Sequence, residues 1–345
     1  MTATAPDDEL TLELAHRATA AAQAWQPGVT IGDVQPLTGG MSSLTFLADA
    51  VVGSAVVERL VLKVAPPGLD PVRNRDVLRQ GRLMRALHGR PGVLVPAVLF
   101  EDEGEPPAVS PFLAMPFVAG ECVEPILQEP RPEHPPFDDY RARAFAAAEM
   151  LAALHALEPE RIGLAAEAAT PIGAEIDRWT RAFETVAPDL QGDYVRCAEA
   201  LHASIPPALP HTVTHGDYRL GNMLCAAGAI NAIIDWEIWA IGDPRVDLTW
   251  FTFFTDEAAH AAAPTTDRSG MPSPAELVEA YEAATGRAVP DITWFDALTR
   301  YKEAAATALL VKRLRKSGSR SPSLERMAPA LPALVQEAMT LLGVA

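Results

Sequence analysis

From Thr30 to Val64 the apolar residues fall into short runs, Ile31 to Val34, Leu44 to Ala48 and Val56 to Val64, separated by Gly39-Gly40 and Gly53-Ser54. Strand side chains alternate between two faces, and glycines allow tight reversals, so this pattern predicts an antiparallel meander. Pro66-Pro67-Gly68 closes it. Val77, Leu78, Leu83, Met84 and Leu87 then recur at helical spacing and predict one helix over Val72 to Leu87. Val93 to Phe100 and Phe112 to Val118 read as further strands. Ahead of the meander, Glu9 to Trp25 reads as a helix rich in Ala and Leu, ended by Pro27-Gly28 and expected to pack outside the first domain.

Beyond Gly120 the spacing becomes helical, over Tyr140 to Leu157, Pro171 to Val186 and Tyr194 to Ile205. Val213 to Trp236 interrupts it. There the runs Met223 to Cys225 and Ile230 to Ile234 flank Gly228 as in a hairpin. The pattern as a whole predicts an α+β chain with an N-terminal helix over 1–27, a sheet domain carrying one helix over 28–119, and a larger, mainly helical domain over 120–345.

Composition narrows the partners. Of 345 residues, 28 are basic and 45 acidic, leaving a net charge of −17. Such a surface repels polyanions, so neither nucleic acid nor an anionic membrane is an expected partner. It keeps the protein soluble and would suit a cationic substrate. Cys122, Cys197 and Cys225 show no CxxC spacing and read as reduced thiols. The first ten residues carry no basic-then-apolar leader, and no apolar run approaches the ~18 residues of a membrane span, so a cytoplasmic location is expected. Oligomeric state is not legible.

The chemistry concentrates in His215-Gly216-Asp217-Tyr218-Arg219-Leu220-Gly221-Asn222, with Asp235-Trp236-Glu237 following thirteen residues after Asn222. Phosphoryl transfer needs one carboxylate to orient an attacking hydroxyl. It also needs a second carboxylate and an amide oxygen to hold hard Mg²⁺ against the phosphates. A tight loop carrying Asp217 and Asn222, with a hairpin that ends in Asp235, supplies those groups. The second domain also offers acidic residues (Asp138, Asp139, Asp177, Asp256, Glu257) suited to a cationic acceptor. Its aromatic residues (Trp179, Trp250, Phe251, Phe253, Phe254) suit a less polar acceptor or a plain core.

These residues resemble the aminoglycoside phosphotransferase and choline kinase-like family of small-molecule kinases, whose HGDxxxxN loop and downstream Asp correspond to the HRDxxxxN and DFG elements of protein kinases. Gly242-Asp243-Pro244-Arg245-Val246-Asp247-Leu248 matches the family's GDPxxDL segment. The wording HGDYRLGN with IIDWEIWAIGDPRVDL is especially similar to a branch of kinase-like domains fused to acyl-CoA dehydrogenases.

The resemblance implies a bilobal protein-kinase-like fold and an enzyme, dependent on ATP and Mg²⁺, that phosphorylates a hydroxyl of a small molecule. The acceptor would be aminoglycoside-like or, as in the fused branch, a hydroxyacyl compound. It implies Asp217 as the catalytic carboxylate and Asn222 and Asp235 as metal ligands. Lys63, set in the apolar run Leu60 to Val64 where an unpaired ammonium is costly, would meet the α- and β-phosphates. Gly39, Gly40, Ser42 and Ser43 would offer backbone N–H groups to phosphate oxygens, and Met115, Phe117 and Val118 would line the adenine. His215, Asp243 and Asp247 would brace the HGD loop, Arg219 would counter phosphate or carboxylate charge, and Glu237 would assist the metal or face solvent. His155 is assigned no catalytic role.

One position departs from the family. Gln80 stands where a Glu usually pairs with the strand lysine, so Gln80, or Asp76 one turn earlier, is expected to orient Lys63. That departure keeps open a nucleotide-binding pseudokinase or scaffold with little transfer activity. A metal-dependent hydrolase lacks HxH or HExxH spacing here. A protein kinase lacks its long activation segment, since Gly242 arrives seven residues after Asp235.

Overall fold

In the computed structural model, residues 8–37, 43–127, 137–263, 269–318 and 320–345 are described. Helix α1 (Asp8–Ala22) precedes strands β1 (Thr30–Leu37), β2 (Leu44–Val52) and β3 (Ala55–Val64); α2 (Val77–Leu87), β4 (Phe100–Asp102) and β5 (Phe112–Pro116) follow. The strands form one antiparallel sheet in the order β1-β2-β3-β5-β4. Gly53, at φ +64°, makes the reversal between β2 and β3.

Alternation gives the sheet two buried faces. Leu60, Leu62 and Val64 of β3 face Phe46, Phe112 and the inner side of α1, where Leu14, Ala18 and Ala22 are almost fully buried. The first helix is therefore part of this core and not an external appendage. Alanines on its inner face let the helix axis approach the strands closely, and that closeness is invisible in a hydrophobicity profile. On the other face Leu113 packs with Ala65 and Val77 of α2.

Two further expectations change. Asp76 caps α2 by accepting from the Arg79 backbone N–H at 2.8 Å, so the helix starts at Val77 and not at Val72. The run Val93 to Phe100 enters the sheet only at Phe100, because Pro96 offers no N–H to a strand ladder.

The later chain holds α3 (Phe137–His155), α4 (Ile172–Phe183), α5 (Tyr194–Ala203), β6 (Thr212–Thr214), β7 (Met223–Ala226), β8 (Ala229–Ile233) and β9 (Ala240–Gly242). It ends with α6 (Arg245–Phe253), α7 (Pro274–Thr285), α8 (Ile292–Ser317), α9 (Pro322–Met327) and α10 (Leu331–Leu341). Helix α8 runs through its core, burying Trp294, Phe295, Leu298, Tyr301 and Ala305 in one cluster with Trp179 and Phe183 of α4 and Trp250 of α6. An antiparallel sheet with a helix, followed by a mainly helical part, is the expected fold class.

The chain divides into two units, one of 1–120 with 231–239 and one of 121–230 with 240–345. The sequence reading places 231–239 with the second domain. In the structure Ile233 N donates to Leu94 O at 2.7 Å and the Asn231 amide donates to Ala119 O, which tie that segment to the first unit. No described helix is long and apolar enough to cross a membrane.

Candidate active site

In the first unit, β3 and the segment after β8 bring Lys63 and Asp235 together. Lys63 pairs in register with Leu113 of β5, on the face that α2 covers. Its Nζ donates to Asp235 Oδ1 at 3.2 Å; the lysine side chain is 13% exposed and the aspartate 42%. Asp235 adopts a left-handed conformation, φ 66° and ψ 50°, which costs a residue with a Cβ about 1–2 kcal/mol. The flanks hold it there. Trp236 Nε1 donates to Ile233 O at 3.0 Å, and Arg79 reaches Trp239 O at 3.0 Å while its guanidinium lies over the Trp239 ring.

This pairing corrects the expected partners of Lys63. Gln80 is buried and donates to Asn74 O, and Asp76 is occupied as the cap of α2. Asp235 meets the lysine in their place. Met115 lies in β5, and the chain leaves the sheet at Phe117, whose N–H is bonded to Arg59 O at 2.7 Å, before reaching Val118. Glu237 lies half-buried in the turn Trp236–Ile238. Gly39, Gly40 and Ser42 lie outside the described residues; Ser43 is buried at the entry to β2.

In the second unit the HGD loop is held from below by Asp247 of α6. Its carboxylate accepts from the backbone N–H of His215 at 2.6 Å and of Gly216 at 2.8 Å. His155 Nε2 stands 3.5 Å from it, and His155 Nδ1 meets the Tyr281 hydroxyl at 2.8 Å. Burial pushes the Asp247 carboxyl upward in pKa, but His155, His215 and the backbone bond prevail and hold it below the usual carboxylate range. Asp243 has a different place from the one expected. It forms a buried bidentate pair with Arg245, two residues on, and accepts from Leu209 N.

Both oxygens of the Asp217 carboxylate accept hydrogen bonds. Oδ1 accepts from Trp250 Nε1 at 2.7 Å and Arg219 Nε at 3.1 Å; Oδ2 accepts from Asn222 Nδ2 at 2.8 Å and, at a longer 3.3 Å, from Arg219 Nε. The Asn222 amide also donates to the Asp217 carbonyl, so one side chain fixes both ends of the loop. Burial alone would raise the pKa of Asp217. Arg219, His215, Lys302 and the Trp250 bond outweigh it and bring the carboxyl down to about 2. It stays ionised at any physiological pH.

Three contributors escaped the sequence reading. Glu124, buried, accepts from Arg219 Nη1 at 3.3 Å and from Gly221 N at 3.0 Å. Burial raises it to about 7 against the pull of Arg219. A Cβ at Gly221 would lie 2.2 Å from Arg219 Nη1, so a larger residue there would push the guanidinium aside. Lys302 and Glu303, both buried, are the other two; the signal for them was a charged pair inside an otherwise apolar stretch of α8.

Glu303 gives a direct test of buried charge. Burial, with the Asp217 charge behind it, raises Glu303 to about 7, while Thr307 Oγ1 donates to it at 2.6 Å. The folded protein then binds a proton that the unfolded chain has lost, so stability falls as pH rises from the unfolded carboxyl value through 7. Glu303→Gln should flatten that fall and stabilise the protein at pH 8 by on the order of 3 kcal/mol. Urea titrations at pH 5 and 8 check it; an unchanged pH slope would show that Glu303 ionises freely.

A family model described as a phosphotransferase enzyme family matches residues 33–298. Acyl-CoA dehydrogenase family member 10 of Mus musculus is 26% identical over 198 residues, 56% of this chain and 18% of that protein. The chain spans about a fifth of the length of the curated relatives it matches. Among solved structures, a Ralstonia eutropha protein provisionally named an aminoglycoside phosphotransferase superposes with a TM-score of 0.71 at 21% identity, covering 94% of this chain and 98% of that one. Spectinomycin phosphotransferase in complex with ADP and spectinomycin gives 0.57 at 13% identity, covering 96% and 98%. At these identities the likeness is one of fold.

Proposed function

This chain belongs to the phosphotransferase enzyme family, and on that premise we propose that it transfers the γ-phosphoryl group of ATP to a hydroxyl of a small molecule, with Asp217 receiving the hydroxyl's hydrogen bond. The observation that carries this reading is the Asp217 carboxylate, anchored on both oxygens and kept ionised by Arg219, His215 and Lys302. So weak a base orients a hydroxyl well and deprotonates it poorly. It takes the proton late, as the oxygen–phosphorus bond forms and the bond to the bridging oxygen of ADP breaks.

Lys63 would meet the phosphates, exchanging its bond to Asp235 for one to phosphate oxygen. Asn222 and Asp235 would hold Mg²⁺, which when bound neutralises charge on the transferring group. Two oxygen donors fill only part of an octahedral shell, and this fits a cation that arrives on the nucleotide's phosphates. That spectinomycin phosphotransferase is seen with ADP supports a nucleotide as donor here.

The acceptor is open between aminoglycoside-like and hydroxyacyl compounds. The aromatic side chains that the sequence offers for it, Trp179, Trp250, Phe251, Phe253 and Phe254, are all buried, and Trp250 already donates to Asp217, so they do not form an open face for an acceptor. Mg²⁺-dependent ADP release against a panel of aminoglycosides, macrolides, small amino alcohols and hydroxyacyl-CoAs tests the reading. We expect stimulation by one class, absent in Asp217→Asn. Tight Mg·ATP binding with silence across the panel would favour the pseudokinase instead.

A further inference from the structure

Lys302 is a buried charge whose part in the proposed reaction, so far, is only to help keep Asp217 ionised. It lies midway along α8 and is 3% exposed. Its Nζ donates to the Gly216 carbonyl at 2.5 Å and stands 3.9 Å from the centre of the Trp250 ring and 5.9 Å from that of Trp179. Taking an ammonium out of water costs several kcal/mol, and a peptide carbonyl with an indole face returns part of that. For packing alone, an apolar side chain would serve α8 as well.

Both contacts lead to the same carboxylate. Gly216 immediately precedes Asp217 and takes a left-handed φ of +85°, and the Lys302 ammonium holds its carbonyl. Trp250 donates Nε1–H to Asp217 Oδ1 at 2.7 Å. A cation over an indole face draws electron density toward itself and makes the N–H a stronger donor, as polarisation does along any hydrogen-bond chain in a low dielectric. Trp250 at 2.7 Å and Arg219 at 3.1 Å load Oδ1, whereas Oδ2 takes Asn222 at 2.8 Å and only the longer arm of Arg219 at 3.3 Å, so Oδ2 is the less heavily engaged oxygen.

We propose that Lys302 and Trp250 are positioning residues for Asp217: the ammonium pins the Gly216 peptide and the Trp250 ring together, the indole holds Oδ1, and Oδ2 is left for the acceptor hydroxyl. The proposal rests on the reading of Asp217 as the group that receives the acceptor's hydrogen bond. The electrostatics agree with the geometry. Lys302 is among the charges that keep Asp217 ionised, and although burial lowers its own pKa, Glu175, Asp217 and Asp247 face it and favour the ammonium.

The test uses the full chain labelled with ¹⁵N on its six tryptophan indoles, with Trp250→Phe identifying the Trp250 resonance. In Lys302→Met that N–H should move upfield, as in Asp217→Asn, while the indole signals of Trp25, Trp236, Trp239 and Trp294, none of them beside Lys302, stay and report an intact fold. Hydrolysis of Mg·ATP, with water as acceptor, should lose roughly 10- to 100-fold in kcat with KM for Mg·ATP within about twofold. Trp250→Phe, which keeps a ring under the ammonium and deletes only the donor, should show the same split. An unmoved Trp250 resonance in Lys302→Met, or an unchanged kcat in either variant, overturns the proposal. A wild-type protein that neither binds Mg·ATP nor releases ADP defeats the phosphotransfer reading instead, and the indole shift then decides by itself whether Lys302 holds Trp250 on Asp217.

Discussion

Asp217→Asn should lower kcat by roughly a thousandfold, within the range that a positioned acid–base group supplies, and leave KM for Mg·ATP within about twofold. The loss comes from more than one missing charge. Three donors, from Trp250, Arg219 and Asn222, converge on this carboxylate. An asparagine must turn its own NH₂ toward one of them, donor against donor, so the side chain rotates out of line with the hydroxyl. Nucleotide affinity is spared because the groups proposed to hold Mg·ATP, Lys63, Asp235 and Asn222, all remain, Asn222 keeping its bond to the Asp217 carbonyl. Steady-state ADP release together with calorimetric Mg·ATP binding measures both quantities. Normal turnover in the variant would remove Asp217 from the mechanism.

The second large effect is expected at the Lys63–Asp235 pair. Asp235→Ala should weaken Mg·ATP binding about 10- to 100-fold and steepen its dependence on free Mg²⁺. Lys63→Met should weaken binding without changing that dependence. The two changes should not add. Lys63 is the more buried partner, 13% exposed against 42%, so removing Asp235 strands an ammonium on the sheet's apolar face, whereas removing Lys63 leaves a carboxylate that water can reach. A double variant that loses less than the product of the single losses reports this coupling. Unchanged nucleotide affinity in Asp235→Ala would dismiss it as a metal ligand.

What the sequence disclosed, and what it hid, follows the range of the interactions concerned. Alternation and glycine turns found β1, β2 and β3 because strand periodicity is a local property, and HGDYRLGN put Asp217 and Asn222 on one loop because five residues of tight turn leave them little choice. The partner of Lys63 was misplaced. Helix spacing pointed to Gln80, yet the carboxylate comes from Asp235, 172 residues away, and no periodicity encodes such a contact. Glu124 and Lys302 were hidden for the same reason, being joined to the loop across 95 and 86 residues. Helix α1 was legible as a helix and misjudged as a neighbour, since the alanines that fit it against the sheet carry little hydrophobic signal.

The division of the chain also sets an order of events during synthesis. The first unit needs residues 231–239 as well as 1–120, and more than a hundred residues of the other unit are made in between. At about 5–20 residues per second the ribosome takes on the order of ten seconds to cover that gap. Throughout it the nascent sheet carries Lys63 with no Asp235 to meet it. The N-terminal third therefore waits, unfinished, for a short strand-and-turn that is translated late, and a chain cut off anywhere before Asp235 is left holding an ammonium on its apolar face.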